Sequence, residues 1–156
     1  FMFVLSSNVS SLVNFLLSGI VFLIFTLIDG ISPSLRYLAL LYPIFCLVVL
    51  IAGISLLLSA LYVFFRDMQY LYGIFTMLLM YMSAIFYQVE QYPERIQRLF
   101  LLNPIYVYIK YIRLVVINGS FPSATYHLLM LFYALVALAI GVLVYYKNSD
   151  RFLYYL

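Results

Sequence analysis

Charged positions along this chain are sparse, and the apolar stretches between them set the architecture. From Phe1 no charged side chain occurs before Asp29; Arg36 is followed by none until Arg66, Asp67 by none until Glu90, and Arg113 by none until Lys147. Each gap is long enough to cross the hydrocarbon of a bilayer, which takes roughly 20 helical residues. Backbone amides in lipid must pair within a helix or within a closed barrel. Barrel strands alternate apolar with polar residues, and runs such as Leu56-Leu57-Leu58 and Leu128 to Gly141 do not. The pattern therefore predicts an all-α fold, a polytopic transmembrane helical bundle.

Span one is predicted from Leu12 to Ile28, after the polar cluster Ser6-Ser7-Asn8 and before Asp29-Gly30. The Gly, Ser and Pro residues of Gly30 to Ser34 form a tight exposed turn. Span two lies within Tyr37 to Phe65, with Pro43 as a candidate kink and Gly53, Ser55 and Ser59 as small residues that let a second helix approach. Arg66-Asp67 marks a return to water, and span three follows from Tyr70 to Tyr87. Gln88 to Arg98 is charge-rich. Leu99 to Ile109 is apolar but short and interrupted by Asn103-Pro104, which suits a re-entrant or interfacial segment. Lys110 and Arg113, three apart, share a helical face, and Asn118 to Pro122 closes this unit. Span four runs from His127 to Tyr146, ahead of a tail from Lys147 to Leu156. No repeat or linker divides residues 1–156, which read as a single transmembrane domain. The chain opens on Phe1 with no basic segment ahead of its first apolar stretch, so it is expected to begin inside a larger protein.

Composition narrows the chemistry. The 156 residues are 68% hydrophobic and 8% charged, with mean hydropathy +1.15, whereas a soluble domain carries about a quarter charged residues. The net charge of +3 reads as membrane-flanking cations, and no basic patch interleaved with exposed aromatics points to nucleic acid. One cysteine, Cys46, gives no intramolecular disulfide and no cysteine metal site. His127 stands alone, without an acid at helical spacing, and is expected to cap span four at the interface. Glu90 and Glu94 are one helical turn apart, as an acid/base pair would be, but their position around Gln91-Tyr92-Pro93 fits a helix start better. No catalytic residue, metal or cofactor is expected. Without a phosphate-binding glycine loop, any ATP hydrolysis would belong to another chain.

Aromatic content is unusual, with 17 Tyr, 14 Phe and no Trp. Tyr37, Tyr62, Tyr87, Tyr126, Tyr145 and Tyr146 sit at span ends and read as interfacial anchors. Tyr70, Phe75, Tyr81 and Phe86 lie along span three. They are either lipid-facing packing or flat faces along which sugar rings slide.

Four motifs occur in order: Phe64-Phe65-Arg66-Asp67, Ile85-Phe86-Tyr87, Pro93-Glu94-Arg95 and Leu101-Leu102-Asn103-Pro104. With them the chain resembles the membrane permease of ABC-2 type transporters that export polysaccharides such as O-antigen and teichoic acid. The resemblance covers essentially the whole chain. It departs at Ala84, where the family often has proline, and at the start, where the family has an interfacial helix and two further spans.

The resemblance implies a six-span ABC-2 fold of which this chain supplies the last four spans, in a homodimer of permeases with separate ABC ATPase subunits. Arg66 and Asp67 would form the cytoplasmic loop near the ATPase. Pro93 to Pro122 would lie outside as two short gate helices dipping back into the membrane, with Pro93, Glu94, Arg95, Arg98, Asn103, Pro104, Lys110 and Arg113 among their residues. The cargo would be a lipid-linked polysaccharide and the location the bacterial cytoplasmic (inner) membrane. Charge counting opposes that orientation, since Arg66, Lys147 and Arg151 would be inside and Arg36, Arg95, Arg98, Lys110 and Arg113 outside. The alternatives are an ABC-2 drug or lipid exporter and a membrane-embedded glycan-modifying enzyme. The predicted spans hold no Asp, Glu, Lys or Arg for such an enzyme to use.

Overall fold

Six α-helices and two short 3-10 segments follow one another, with no strand among the described residues. The structure, a computed structural model, describes residues 2–28, 30, 35–65 and 67–148, the side chains of 2–5, 7, 35 and 36 excepted. The expected turn around Ser32-Pro33, the side chains of Arg36 and Arg66, and Arg151 in the tail lie outside the described residues.

Helix α1 (Met2–Ile28) is continuous and runs through Ser6-Ser7-Asn8 instead of starting after them. A polar side chain persists there because Asn8 is used in packing: its Oδ1 accepts from Ser55 Oγ at 3.2 Å, on the next long helix. Further along, Ser18 and Thr26 return their hydroxyls to carbonyls of the preceding turn, which keeps them satisfied within an apolar helix. Most of the described α1 side chains face outward, as suits a helix whose surroundings are hydrocarbon.

A 3-10 helix (Leu35–Leu40) leads directly into α2 (Leu41–Phe64). Pro43 falls in the first turn of α2, where proline is tolerated, and the change of helix type just before it stands where a kink at Pro43 was expected. The buried residues Pro43, Cys46, Leu50, Gly53, Leu56 and Ala60 recur every three or four positions and form one stripe. That stripe faces α6 (Ala124–Asn148), and the α2–α6 pair is the most extensive helix contact in the molecule. At its crossing Gly53 meets Gly141 so closely that a Cβ on either would overlap the other helix's backbone. Small residues on both helices permit this approach. Gly53 was legible as a packing residue; Gly141 was not.

Helix α3 (Met68–Met82) has 15 residues and buries none of them. Expected as a span to Tyr87, it stops five residues early. Its length is about 22 Å at 1.5 Å per residue, short of the roughly 30 Å hydrocarbon core. Then come a 3-10 turn (Val89–Gln91), α4 (Glu94–Phe100) and α5 (Pro104–Val116). Among the described residues three segments are long and apolar enough to cross a membrane: Asn8–Ile28, Tyr37–Phe64 and Ala124–Asn148. The pair α4 and α5 passes the same test only jointly, and it is bent by 108°.

Candidate functional site: the broken helical pair and its cleft

The bend has a local cause. Pro104 cannot donate an N–H to continue α4, and it disfavours helical backbone at the residue before it. Asn103 accordingly takes an extended conformation and caps α5, its Oδ1 accepting from Ile105 N at 3.0 Å. Its other side-chain atom reaches back across the chain, with Nδ2 donating to Ser83 Oγ at 3.2 Å. One side chain thus starts α5 and pins the end of α3 to the break. The freed carbonyl of Leu101 accepts from the Tyr133 hydroxyl of α6 at 2.8 Å, so the non-helical backbone stays paired inside the protein.

Helix α5 is seated by tyrosines. Tyr106, Val107, Tyr108, Tyr111, Val115 and Val116 are buried. The Tyr108 hydroxyl donates to Met130 O at 3.3 Å on α6. The Tyr111 hydroxyl lies 3.3 Å from Ala39 O and 3.0 Å from His127 Nε2, joining α5, the first 3-10 helix and α6. Tyr42 closes the set by donating to His127 O at 2.9 Å. His127, expected as an interfacial cap, is therefore a junction residue inside the first turns of α6. These tyrosines were missed as a group, although the i, i+3, i+7 spacing of Tyr108, Tyr111 and Val115 already marks one helical face.

The opposite edge of α5 carries the cations. After Ser83, Ala84 takes a left-handed conformation with φ +51, and the backbone from Ile85 to Gln88 is irregular. Proline, which the family often has here, cannot adopt that φ. The chain turns nonetheless, because Arg113 supplies donors for the carbonyls left open. Its Nη2 donates to Ile85 O at 2.7 Å and Ala84 O at 3.0 Å, and its Nη1 to Tyr87 O at 3.4 Å. One turn earlier, Lys110 Nζ lies 3.4 Å from Glu90 Oε1 and 5.6 Å from the centroid of the Tyr106 ring. Gln97 of α4 donates to Tyr92 O at 2.8 Å and ties α4 to the same connection.

Between α5 and the α3–α4 connection these residues wall a cleft of about 440 Å³, lined among others by Phe86, Gln88, Glu90, Tyr106, Lys110 and Asn118. Of the anticipated residues, the structure brings Asn103, Pro104, Lys110 and Arg113 to the break and the cleft, with Phe86 at the cleft wall. Pro93 precedes α4, and Glu94 and Arg98 form an exposed pair on it at 3.8 Å, beside the exposed Arg95. Asp67 precedes α3, while Arg66 lies outside the described residues. Tyr70, Phe75 and Tyr81 are exposed along α3; Tyr70 and Tyr81 share a side of that helix, and Phe75 points about 140° away. Among the described residues no group of His, Cys, Asp and Glu could hold a metal ion.

Long apolar helices flanking a short, sharply broken pair define a multi-pass helical membrane protein whose irregular backbone is paired by side chains of α5 and α6. Comparison with known families makes this specific. The chain belongs to the ABC-2 type transporter family, whose model matches residues 1–117. It is also similar to the O-antigen export system permease protein RfbA of Klebsiella pneumoniae, at 26% identity over 141 residues, covering 89% of this chain and 54% of that protein. The chain thus spans about half the length of the curated relative it matches. No solved structure matches it.

Proposed function

We propose that this chain is part of the permease subunit of an ATP-driven exporter that carries lipid-linked polysaccharide, such as O-antigen or teichoic acid, across the bacterial cytoplasmic membrane. The observation that carries the reading is the match along 89% of the chain to a permease named for O-antigen export. In this reading two permeases form a homodimer, a separate ABC ATPase hydrolyses ATP, and Arg66-Asp67 is the cytoplasmic loop that receives its motion. The pair α4 and α5 is the outer gate. Its two helices meet at the Asn103-Pro104 break, where a bend of 108° gives a hinge between helices that are each too short to cross the bilayer. The exposed aromatics Tyr70, Phe75, Tyr81 and Phe86 border the path of the sugars.

The test is deletion of the gene for the partner ATPase, with surface polysaccharide measured by gel and antibody. Loss of surface polymer with its accumulation inside is expected. Polymer reaching the surface at the wild-type level without the ATPase would remove the mechanism. Orientation is tested separately with a cysteine at Gln97, which is expected to react with an impermeant thiol reagent from outside the cell. The native Cys46 is buried and will not compete.

A further inference from the structure

Helix α1 presents two unlike faces. On one, the exposed Asn14 and Ser18 place polar side chains in an otherwise apolar span. On the other, about 100° or more around the helix, stand Leu16, Gly19 and Leu23. Near its beginning α1 is bonded to α2, where Ser55 Oγ donates to Asn8. Farther along, its middle stands off from the start of α2 and from α5, and a groove of about 400 Å³ opens between them. Phe15, Gly19 and Leu23 belong to one wall and Leu40, Ile44 and Ile112 to the other, and the lining is hydrocarbon throughout. A Cβ at Gly19 would meet nothing within 4 Å, so the open space continues over the α1 backbone.

Depth and width decide what fits. Residues 15–23 lie about 10–22 Å from the start of the Asn8–Ile28 span at 1.5 Å per residue, the middle of a hydrocarbon core roughly 30 Å thick. Water does not fill an apolar cavity, and an empty one forfeits the dispersion contacts of its walls. Something apolar therefore fills the groove. One helical turn, with a pitch of 5.4 Å and a diameter of 10–12 Å, takes roughly 400–600 Å³. A groove of about 400 Å³ cannot take the several turns by which a helix, from the same protein or from a second copy, would lie along α1. The polar side chains that would hold such a helix, Asn14 and Ser18, also face elsewhere. A single hydrocarbon chain is slender enough, and at this depth lipid supplies it.

We propose that this groove holds one acyl chain of a bilayer phospholipid, lying along α1 against Ile44 and Ile112. The chain touches α5 at the residue between Tyr111, which joins α5 to α6 and the first 3-10 helix, and Arg113, which holds the α3–α4 connection. Lipid thus becomes part of the seat of the broken pair, on the side that the described protein leaves open. The inference draws on neither the polysaccharide nor the ATPase of the exporter reading, and it stands or falls apart from that reading.

The experiment places the complete protein in nanodiscs containing phosphatidylethanolamine with a diazirine at the middle of one acyl chain. Photolabelled residues are mapped by peptide mass spectrometry. Labelling of residues 15–23 and Ile112 several times stronger than that of Leu135 and Leu143, which are exposed on α6 and report bulk lipid, is expected. Gly19→Phe, whose ring enters the groove, should lower that labelling by about fivefold or more, since the overlap costs at least what overpacking costs a core, and should leave α6 unchanged. Gly19→Ala adds a Cβ to open space and should leave all labelling as it was. Ile112→Phe narrows the groove from the opposite wall and gives the same test should Gly19→Phe not fold. Groove labelling no stronger than that of α6, or equal in the parent and a folded filling variant, would overturn the inference, since only bulk contact would then be seen. An unlabelled groove beside a labelled α6 would overturn it as well, because protein would then cover the groove.

Discussion

The α2–α6 pair and the α3–α4–α5 region solve the same problem by different physics. In the first, two long apolar helices touch over their length, with Gly53 against Gly141 and a continuous buried stripe between them. Hydrocarbon outside is as apolar as the side chains inside, so close packing and not water exclusion holds such a pair together. In the second, α3 buries no side chain, α4 is one short helix, and the connection between them is irregular. There the chain is held by directed bonds: Arg113 to three carbonyls, Asn103 to Ser83, Gln97 to Tyr92 and Tyr133 to Leu101. A packed pair yields only by separating along its length. A segment held by a few named bonds can exchange them one at a time, as the proposed hinge requires.

The contrast yields a graded set of outcomes. Gly53→Leu should be the most damaging, because the new side chain meets α6 backbone that cannot move aside; a loss of more than about 3 kcal/mol, read as failure to purify as a monodisperse species, is expected. Full stability of that variant would show that the crossing is looser than the structure has it. Arg113→Ala comes next, at about 1.5–3 kcal/mol for partly exposed charge-assisted bonds. Its effect should be confined to residues 83–91, seen as faster amide exchange there with α2 and α6 unchanged. Equal acceleration in all helices would mean that the two regions are not energetically separate. Asn103→Ala removes a cap and a bridge, and a loss of about 1 kcal/mol in thermal unfolding is expected, with faster exchange at the start of α5. The smallest effect belongs to Glu94→Gln. Its partner Arg98 is 80% exposed and Glu94 86%, so the change should stay under about 0.5 kcal/mol. A larger loss would point to contacts of α4 with another chain.

Much of the architecture was readable from one dimension. Membrane residence, an all-helical fold, the long helices α1, α2 and α6, and a break at Asn103-Pro104 all follow from charge spacing, hydropathy and one Asn-Pro pair. These are additive or local properties. The transfer of each residue into lipid counts separately, and proline acts on its own neighbours. The end of α3 was not readable, since nothing between Tyr70 and Tyr87 forbids helix. The helix stops at Met82 where Arg113, 29 positions beyond Ala84, satisfies the carbonyls that a continuing helix would have paired. Likewise nothing in the run Leu128 to Gly141 singled out Gly141 until α2 lay across it.

The sequence by itself therefore determined the solvent, the class of fold and the place of the break, because each is settled by residues close together in the chain. Only the tertiary structure decided which glycine meets which, where α3 ends, and that Lys110 and Arg113 serve the α3–α4 connection rather than standing free at the surface. Those outcomes depend on pairing between groups far apart in sequence. A polar group in an apolar surrounding takes whatever partner the fold brings within hydrogen-bonding distance.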